Sequence, residues 1–281
     1  ILVQRVDPKH ERPLPRALLA AAAGEPTAVA QVVAGPPGIL GRTLSVFGDG
    51  SSYDETLSGQ RAGQAVAAQA HAHLAAGRTG LVDIGGDSDT CPDRLSLLIH
   101  VNASRPRMLI FGAVDFAAAL SQAGAFLGYR VTVCDARPVF ATTARFPYAD
   151  EVVVDWPHRY LDEASIDART AVCVLTHDAK FDIPLLTRAL TLPVAYVGAM
   201  GSRRTHEDRL RRLREAGVSE EHLARLRSPI GLDLGARTPE ETAVSITAEI
   251  IAQAGRGSGT PLTWSGGPIH HPYEVSARPR P

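Results

Sequence analysis

The chain has 281 residues, of which 44% are hydrophobic, 21% charged and 5% aromatic. This composition is typical of a soluble globular protein that is long enough for two domains. The 29 lysines and arginines nearly balance the 30 aspartates and glutamates, which gives a formal net charge of -1. We therefore expect no general nucleic-acid-binding or membrane-binding surface, and no stretch approaches the length of a transmembrane helix.

The three cysteines, at positions 91, 134 and 173, lie far apart and form no C-x-x-C motif. This usage fits a reducing compartment and predicts no disulfide framework. The chain begins at Ile1 without the basic and apolar regions of a secretion signal, so we expect a cytoplasmic protein. Cys134 and Cys173 fall in predicted strands, whereas Cys91 lies in a loop before a proline and is the candidate for a reactive thiol.

The first hundred residues predict a small α+β domain, which we assign to residues 1–103. Apolar residues recur at helical spacing in two segments, and β-branched runs bounded by glycine and proline mark the strands. The predicted helices are residues 11–24 and 60–76, and the predicted strands are residues 27–34, 42–47, 80–84 and 94–101.

From residue 107 onward, short apolar strands alternate with helices, a pattern typical of a doubly wound parallel sheet. The predicted strands are residues 107–111, 130–134, 151–155, 171–175 and 194–197, and the predicted helices include residues 116–127, 220–227 and 238–255. We assign a Rossmann-like domain to residues 104–260 and an irregular tail to residues 261–281. The sequence thus predicts an α/β protein in which a smaller α+β domain precedes a Rossmann-like domain.

Two groups of metal-binding residue types occur in the first domain. His71 and His73 are two apart on a predicted helix and would point to different faces, unlike the pairs of helical metal sites. The acids Asp83, Asp87 and Asp89 are not followed by glycine and glutamate at the spacing of a calcium-binding loop. We therefore predict no metal site.

The turn after the first strand of the Rossmann-like domain matches the dinucleotide fingerprint only in part. Gly112 occupies the first glycine position, but Val114 and Ala117 occupy the other two. A valine side chain would obstruct the approach of a pyrophosphate, and Asp115 would repel its charge. Asp135 does stand where a ribose-binding acid is expected. We therefore regard NAD(P) binding at this turn as less favoured. The alternative interpretation is that the turn has only a structural role.

In open α/β sheets, ligands bind beyond the carboxyl ends of the strands. The residues that follow the predicted strands carry carboxylate, imidazole, hydroxyl and guanidinium groups, which could form a ligand cleft. No catalytic residue is assigned. The candidate cofactor-binding residues are Gly112, Asp115, Asp135, Thr176, His177, Asp178, Gly198, Gly201, Ser202, Arg203 and Arg204.

The segment from Gly198 to Thr205 joins an apolar strand to a helix through two glycines, Ser202, Arg203 and Arg204. Glycines allow close approach of the backbone, and the first N–H groups of a helix are free to bind an anion such as phosphate. Capping-box spacing from Thr205 predicts the helix start, and six arginines fall between positions 203 and 214. An ordinary turn with solvated arginines is the alternative.

Several segments together resemble the XdhC/CoxF family. They are the segment 198–205, the segment 228–235 that leads into Thr-Pro-Glu-Glu at 238–241, Gly-Pro-Ile-His at 267–270, and Gly-Tyr-Arg-Val-Thr-Val-Cys-Asp at 128–135. The resemblance implies an accessory protein that binds molybdenum cofactor, as molybdopterin or its dinucleotide. It further implies delivery of the sulfurated cofactor to a xanthine-dehydrogenase-type or carbon-monoxide-dehydrogenase-type client.

A cysteine desulfurase and a second copy of the chain, in a homodimer, are further partners that we expect from this resemblance. The sequence departs from the family at its N-terminal Ser-Gly-Gly-Cys-type element, which reads Ser58-Gly59-Gln60-Arg61. If the family cysteine contacts molybdenum, this protein must use Cys91 or no cysteine.

Two alternative functions belong to other classes. A nicotinamide-dependent oxidoreductase would use the Rossmann-like domain for hydride transfer, which requires a dinucleotide held in register with a substrate. Val114 and Asp115 argue against that arrangement. A small-molecule sensor without a maturation role is the second alternative.

Overall fold

A computed structural model describes residues 13–53, 61–85, 94–255 and 257–266 of the chain. The chain forms two compact units, and the change from one to the other falls between Ser104 and Arg105. Among the helices in these described ranges, none combines the length and the apolar character needed to cross a membrane.

The first unit contains an antiparallel sheet and two helices. Its elements are α1 (Pro13–Ala22), β1 (Thr27–Ala34), β2 (Thr43–Phe47), β3 (Ser52–Tyr53), α2 (Arg61–Ala76), β4 (Gly80–Ile84) and β5 (Leu95–Asn102). The strand order is β3-β2-β1-β5-β4, with antiparallel pairing throughout the sheet. The chain therefore begins with the small α+β arrangement that its sequence predicts.

The core of the first unit lies between the sheet and α2. Side chains of β1 alternate between the two faces, so that Ala28 and Val32 are fully buried on the same face. Val66 and Ala70 of α2, which are four residues apart and therefore on one helical face, are buried in the same cluster. Side chains repeat every two residues along β1 and every 3.6 residues along α2, so each element has one apolar face that packs in this core.

The second unit alternates strands and helices. Its elements are β6 (Arg107–Phe111), α3 (Asp115–Phe126), β7 (Arg130–Asp135), β8 (Glu151–Val154), α4 (Pro157–Glu163), β9 (Ala171–Val174), α5 (Ala179–Ala189), β10 (Tyr196–Ala199), α6 (Arg203–Glu215), α7 (Glu220–Leu223), β11 (Leu226–Arg227) and α8 (Pro239–Gly255). A short 3-10 helix follows at Leu262–Trp264.

The strands of the second unit form one parallel sheet in the order β11-β10-β9-β6-β7-β8. The chain starts in the middle at β6, runs outward to β8, returns to β9 and then runs to the opposite edge. This is the strand order of the Rossmann folds, with the topological switch point between β6 and β9. The predicted fold class is confirmed.

Two apolar clusters cover the two faces of this sheet, because successive strand side chains point to opposite sides. Leu109 of β6 belongs to a buried cluster with Leu185 of α5. Its neighbour Ile110 belongs to the other cluster, with Leu120 of α3 and Ile246 of α8. All four residues of β9 are buried, as expected for a central parallel strand.

The prediction of one helix over residues 220–227 is wrong in its second half. Helix α7 ends at Leu223, and Leu226–Arg227 forms the edge strand β11, which pairs in parallel with Val197 and Gly198 of β10. Between the two elements, the guanidinium of Arg225 donates hydrogen bonds to three carbonyl groups in the loop after α5. These tertiary contacts decide the local conformation, and a two-residue strand has no periodicity that sequence analysis could detect.

Candidate functional site

The candidate site lies at the edge of the parallel sheet where the strands end at their carboxyl termini, here called the carboxyl edge. A cleft of about 440 Å³ opens there. Its lining residues follow β6, β7 and β9, which places the cleft at the topological switch point. They are Val114, Arg137, Thr176, His177, Asp178, Ala179, Lys180 and Phe181. This switch-point cleft includes Thr176, His177 and Asp178 from the sequence-predicted site.

Asp135, at the end of β7, is 2% exposed and accepts four hydrogen bonds within the protein. Its Oδ2 atom accepts from the Ala113 amide at 2.8 Å and from Nη2 of Arg137 at 2.8 Å. Its Oδ1 atom accepts from the amide and from Nε of Arg137, both at 2.9 Å. Burial alone would raise the pKa of Asp135, but the hydrogen bonds outweigh it and lower the pKa below its ordinary value.

Arg137 is held on one edge by Asp135, and one face of its guanidinium lies over the ring of Phe140, 4.5 Å from the ring centroid. The side chain remains 48% exposed and lines the switch-point cleft. Because a guanidinium carries five N–H donors, the side-on pair with Asp135 leaves donors on its outer edge.

Gly112 supports the cleft from within the protein. Its φ is +108°, and a Cβ atom at this position would lie 2.8 Å from Cγ2 and 2.9 Å from the amide nitrogen of Thr176. The glycine is therefore needed for the close approach of the segments that follow β6 and β9. This packing explains the glycine whether or not a ligand binds beside it.

Asp115 is the first residue of α3, and its side chain is 86% exposed. Its carboxylate forms an ion pair with Arg145 at 3.1 Å, and Arg145 also donates to the carbonyls of Ala113 and Phe140. A carboxylate paired with a guanidinium thus lies beside the helix start where a pyrophosphate would approach in a dinucleotide-binding domain.

The segment after β9 forms the other wall of the cleft. Asp178 caps α5 by accepting a hydrogen bond from the Lys180 amide at 3.0 Å, and the Lys180 ammonium lies 3.1 Å from the same carboxylate. This ammonium also lies over the Phe181 ring, 4.7 Å from its centroid. His177, which precedes the N-cap residue Asp178 in the sequence, is exposed. Lys180 and Phe181 were not predicted as site residues.

Thr176 belongs to a buried polar network that connects β9 with the turn after β10. Its hydroxyl bonds to Asp182, which is 4% exposed and forms an ion pair at 3.0 Å with Arg209, itself 3% exposed. Arg209 also donates to the Met200 carbonyl at 2.8 Å and to the Ser228 hydroxyl at 2.9 Å. Burial raises the pKa of Asp182, while the hydrogen bonds from Thr176 and Arg209 act in the opposite direction.

The two glycines of the segment from Gly198 to Thr205 have structural roles. Gly198 is buried in β10, and a Cβ atom there would lie 2.6 Å from two side-chain carbons of Ile230. Gly201 has a φ of +151°, and its Cβ would lie 3.1 Å from Cβ and Cγ2 of Thr205. Both positions therefore favour glycine whether or not a ligand binds there.

Ser202 is the N-cap of α6, which corrects the prediction that the capping box starts at Thr205. The Ser202 hydroxyl accepts from the Thr205 amide at 3.1 Å, so Thr205 is the third helical residue. Arg203 and Arg204 are exposed at the helix start. Within the described ranges, neither guanidinium has a hydrogen-bond or ion-pair partner. This cation pair is available to an anionic ligand, but it does not line the switch-point cleft.

The predicted site residues that follow β9 and those that follow β10 form two groups, which Asp182 and Arg209 connect. Thr176, His177 and Asp178 meet in the switch-point cleft, while the segment 198–204 follows the neighbouring strand β10. Arg209 is one of the six arginines between positions 203 and 214. Leu213, four residues later on the same helical face, is fully buried, and this spacing is a sequence signal for the burial of Arg209.

Some predictions concern residues outside the described ranges. These are the Ser-Gly-Gln element at 58–60, the acids at 87 and 89, Cys91, and the segment 267–270. Among the residues that the structure does describe, no group of three or more histidine, cysteine, aspartate or glutamate side chains is arranged to hold a metal ion.

The strand order defines the second unit as a Rossmann-type domain, with a cleft at its switch point. The family model for the XdhC Rossmann domain matches residues 108–250, which cover the sheet from β6 to α8. The chain belongs to the XdhC family, and the family resemblance inferred from the sequence is confirmed.

Three relatives match this chain at similar identity. It is 35% identical over 174 residues to the uncharacterised Escherichia coli protein YqeB, covering 62% of this chain and 31% of the relative. It is 34% identical over 147 residues to a Bacillus subtilis protein named as a probable xanthine dehydrogenase subunit (52% and 42%). It is 33% identical over 146 residues to the Escherichia coli molybdenum cofactor insertion chaperone PaoD (52% and 39%). The matches thus span less than half the length of each relative.

A crystal structure described as a xanthine dehydrogenase from Bacillus halodurans has a similar fold, with a TM-score of 0.51. The similarity covers 90% of this chain and 97% of that protein, at 20% sequence identity. At this identity the comparison supports the fold alone.

Proposed function

We propose that this protein is an accessory protein that binds molybdenum cofactor and assists its insertion into a xanthine-dehydrogenase-type molybdoenzyme. The observation that carries the proposal is its membership of the XdhC family, together with the 33% identity to a relative named as a molybdenum cofactor insertion chaperone. That match covers 52% of this chain.

The carboxyl edge offers chemistry that suits a phosphorylated cargo. Arg137 and Lys180 place a guanidinium and an ammonium in the switch-point cleft, and Arg203 and Arg204 add a pair of cations at the start of α6 that have no partners in the described ranges. Molybdopterin carries a phosphate and its dinucleotide carries a pyrophosphate, and either group is a good acceptor for such donors. The cargo phosphate is proposed to bind at the segment 198–204, with Ser202 and the free helix N–H groups beside the arginines, and the switch-point cleft is the alternative site.

The same edge is poorly suited to a nicotinamide-dependent oxidoreductase. The ion pair of Asp115 with Arg145 holds a carboxylate where a pyrophosphate would approach. The side chain of Val114 also fills space that a glycine would leave open at this turn. We expect titration calorimetry to show no micromolar binding of NAD or NADP. Micromolar binding together with the reduction of a substrate would favour the oxidoreductase over the maturation factor.

The finer parts of the proposal follow from the family resemblance. The cargo would be the sulfurated cofactor, a cysteine desulfurase would supply the sulfur, and the protein would act as a homodimer. The client would be a xanthine-dehydrogenase-type enzyme, with a carbon-monoxide-dehydrogenase-type enzyme as the alternative. Pull-down of a client molybdoenzyme by the tagged protein, in cells that synthesise the cofactor, tests the partner directly.

Cofactor retention tests the binding step. The protein is expressed in cells that make molybdenum cofactor and then purified, and molybdenum and oxidised pterin are measured per chain. We expect Arg203→Ala and Arg204→Ala each to lower the affinity for the cofactor about tenfold to a hundredfold and to reduce the amount retained, because each charge-assisted hydrogen bond contributes about 1.5 to 3 kcal/mol.

The matched control is Arg212→Ala, an arginine on the same helix that pairs with Asp208 at 2.8 Å. This variant should retain cofactor like the wild type. Wild-type retention by all three variants would exclude the start of α6 as the phosphate site and would leave the switch-point cleft as the candidate. A wild-type protein without pterin would contradict the proposed function itself.

A further inference from the structure

The structure assigns a ligand-selecting role to Arg137. We propose that it occupies the acid that would otherwise hold a ribose, and that it presents its outer N–H groups to a phosphate monoester in the switch-point cleft. The choice of cargo rests on the proposed function: it would be molybdopterin rather than the dinucleotide form, which adds a pyrophosphate and a ribose. Molybdopterin carries one phosphate, so this proposal places that phosphate in the switch-point cleft, the alternative to the segment 198–204.

The first step of the argument is that Asp135 has no acceptor capacity left. An ionised carboxylate offers about four lone-pair positions. Four donors already point at this group, two at each oxygen: the Ala113 amide, the Arg137 amide, and Nε and Nη2 of Arg137. All four distances lie between 2.8 and 2.9 Å, so the carboxylate is saturated rather than loosely contacted.

The second step concerns what a ribose would require. In dinucleotide-binding Rossmann domains, the acid after the second strand accepts hydrogen bonds from a ribose hydroxyl. Here a hydroxyl could reach Asp135, which is 2% exposed, only by displacing the Arg137 side chain. Displacement would break two charge-assisted hydrogen bonds and the stacking on Phe140. Ribose binding is therefore opposed by contacts that the protein makes without ligand.

The third step is that the arrangement orients the remaining donors. Asp135 holds the Nε and Nη2 edge, and the Phe140 ring covers one face of the guanidinium at 4.5 Å. In the described part of the chain, Nη1 of Arg137 has no hydrogen-bond partner. A guanidinium fixed on one edge and one face loses little conformational freedom when its outer edge binds phosphate oxygens.

The other polar groups of the cleft set the expected strength. Lys180 adds a second cation, Asp178 is its carboxylate partner at 3.1 Å, and His177 supplies an exposed imidazole. Because Asp135 compensates Arg137 and Asp178 compensates Lys180, the cleft has little net charge. Recognition of a phosphate must then come from directed hydrogen bonds, and a small probe should bind weakly.

Simple probes can test this selection without the cargo. Phenyl phosphate represents a planar ring with a monoester, adenosine represents a planar ring with a ribose, and NAD represents the dinucleotide. Trp156 serves as the reporter because its ring lies 5.2 Å from that of Phe181, which lines the cleft. A Trp264→Phe background removes the other tryptophan, which is 82% exposed.

We expect saturable quenching by phenyl phosphate and none by adenosine or NAD at the same concentrations. Arg137→Ala should weaken phenyl phosphate binding roughly tenfold to a hundredfold and allow adenosine to bind. Arg137→Lys keeps the charge but not the planar fork, so it should give an intermediate loss and covers the case in which the alanine variant does not fold. The control Arg188→Ala, an exposed arginine on α5 that pairs with Asp162 at 3.0 Å, should match the wild type.

Three results with the simple probes would overturn the proposal: no saturable binding of phenyl phosphate, equal phenyl phosphate affinity in the wild type and both Arg137 variants, or tighter binding of adenosine or NAD than of phenyl phosphate by the wild type. The form of retained pterin separates this proposal from the proposed function. Retention of the dinucleotide form would overturn the selection while the chaperone role stands. Arg137-dependent monoester binding in a protein that retains no pterin would contradict the chaperone role while the selection stands.

Discussion

The two halves of the carboxyl edge use their polar residues in opposite ways. At the end of β7, the buried Asp135 binds Arg137, whose side chain lines the cleft. Beyond β9 and β10, the ion pair of Asp182 and Arg209 is buried below the turn, while the arginines at the start of α6 have no partners in the described structure. The residue that looks like a ligand-binding acid is saturated, and an arginine that looks solvated is buried.

This difference teaches that residue type at a strand end does not by itself identify a ligand contact. Asp135 stands at the position of a ribose-binding acid, yet its contacts are internal. Arg209 stands in an arginine-rich helix, yet it connects three segments of the sheet edge through Asp182, Met200 and Ser228. The first pair is proposed to select a ligand, whereas the second pair supports the turn that follows β10.

Removing the buried cation should produce the largest effect. Arg209→Ala leaves the Asp182 carboxylate buried without its partner, and we expect the free energy of unfolding to fall by about 3 to 5 kcal/mol. Arg212→Ala on the same helix removes only an exposed pair with Asp208 and should cost about 0 to 1 kcal/mol. Urea unfolding of both variants measures the contrast. Similar losses in the two variants would mean that Arg209 is not the structural support of this edge.

The pair on the other half of the edge should depend on pH. The pKa of Asp135 is lower in the folded state than in the unfolded chain, so its stabilisation is complete above the ordinary aspartate range and is lost as pH falls through the folded-state pKa. Asp135→Asn should reduce the free energy of unfolding by about 1.5 to 3 kcal/mol at pH 7.

Below about pH 4 the difference between the wild type and Asp135→Asn should shrink, because the carboxyl of the unfolded wild type takes up a proton at higher pH than that of the folded protein. Urea titrations at several pH values between 3 and 7 measure this convergence. Each unit by which folding lowers the pKa of Asp135 corresponds to about 1.4 kcal/mol of stability. A difference that is constant over the whole range would show that ionised Asp135 contributes nothing beyond its neutral form.

Alanine substitutions at two glycines can distinguish the effect of backbone strain from the effect of close packing. Gly112 and Gly128 both have positive φ, at +108° and +86°. A Cβ at Gly112 would meet Thr176 at 2.8 Å, whereas a Cβ at Gly128 would meet nothing within 4 Å. We expect Gly112→Ala to be less stable than Gly128→Ala by about 1 to 3 kcal/mol, the usual effect of overpacking. Equal thermal unfolding midpoints would contradict the close approach of the two segments.

The sequence predicts most of the sheet because its strands are apolar runs bounded by turn residues. The segments Thr27–Ala34 and Arg107–Phe111 lie where they are predicted, and the predicted strand at 194–197 lies two residues later, at Tyr196–Ala199. Val194 is buried, but it lies in the loop before β10. An apolar residue in a tightly packed loop looks the same as a strand residue when periodicity is the only guide.

The candidate site was harder to predict because long-range contacts determine which polar groups are free. Residue type and position alone indicated Thr176, His177 and Asp178, which do line the cleft. The burial of Arg209 depends on a partner 27 residues away, and the saturation of Asp135 depends on backbone amides whose direction the sequence does not specify. Cap residues follow local rules, but Ser202 and Thr205 both carry the hydroxyl that an N-cap uses, so the sequence alone did not decide between them.

Activation of a cofactor-free enzyme tests the proposed delivery function most directly. Purified protein loaded with molybdenum cofactor is mixed with a xanthine-dehydrogenase-type enzyme that lacks the cofactor, and enzyme activity is followed over time. At equal cofactor concentration, we expect more activity than free cofactor gives, and less when the loaded protein carries Arg203→Ala and Arg204→Ala together. Recovery no greater than that with free cofactor would contradict the claim that this protein delivers molybdenum cofactor.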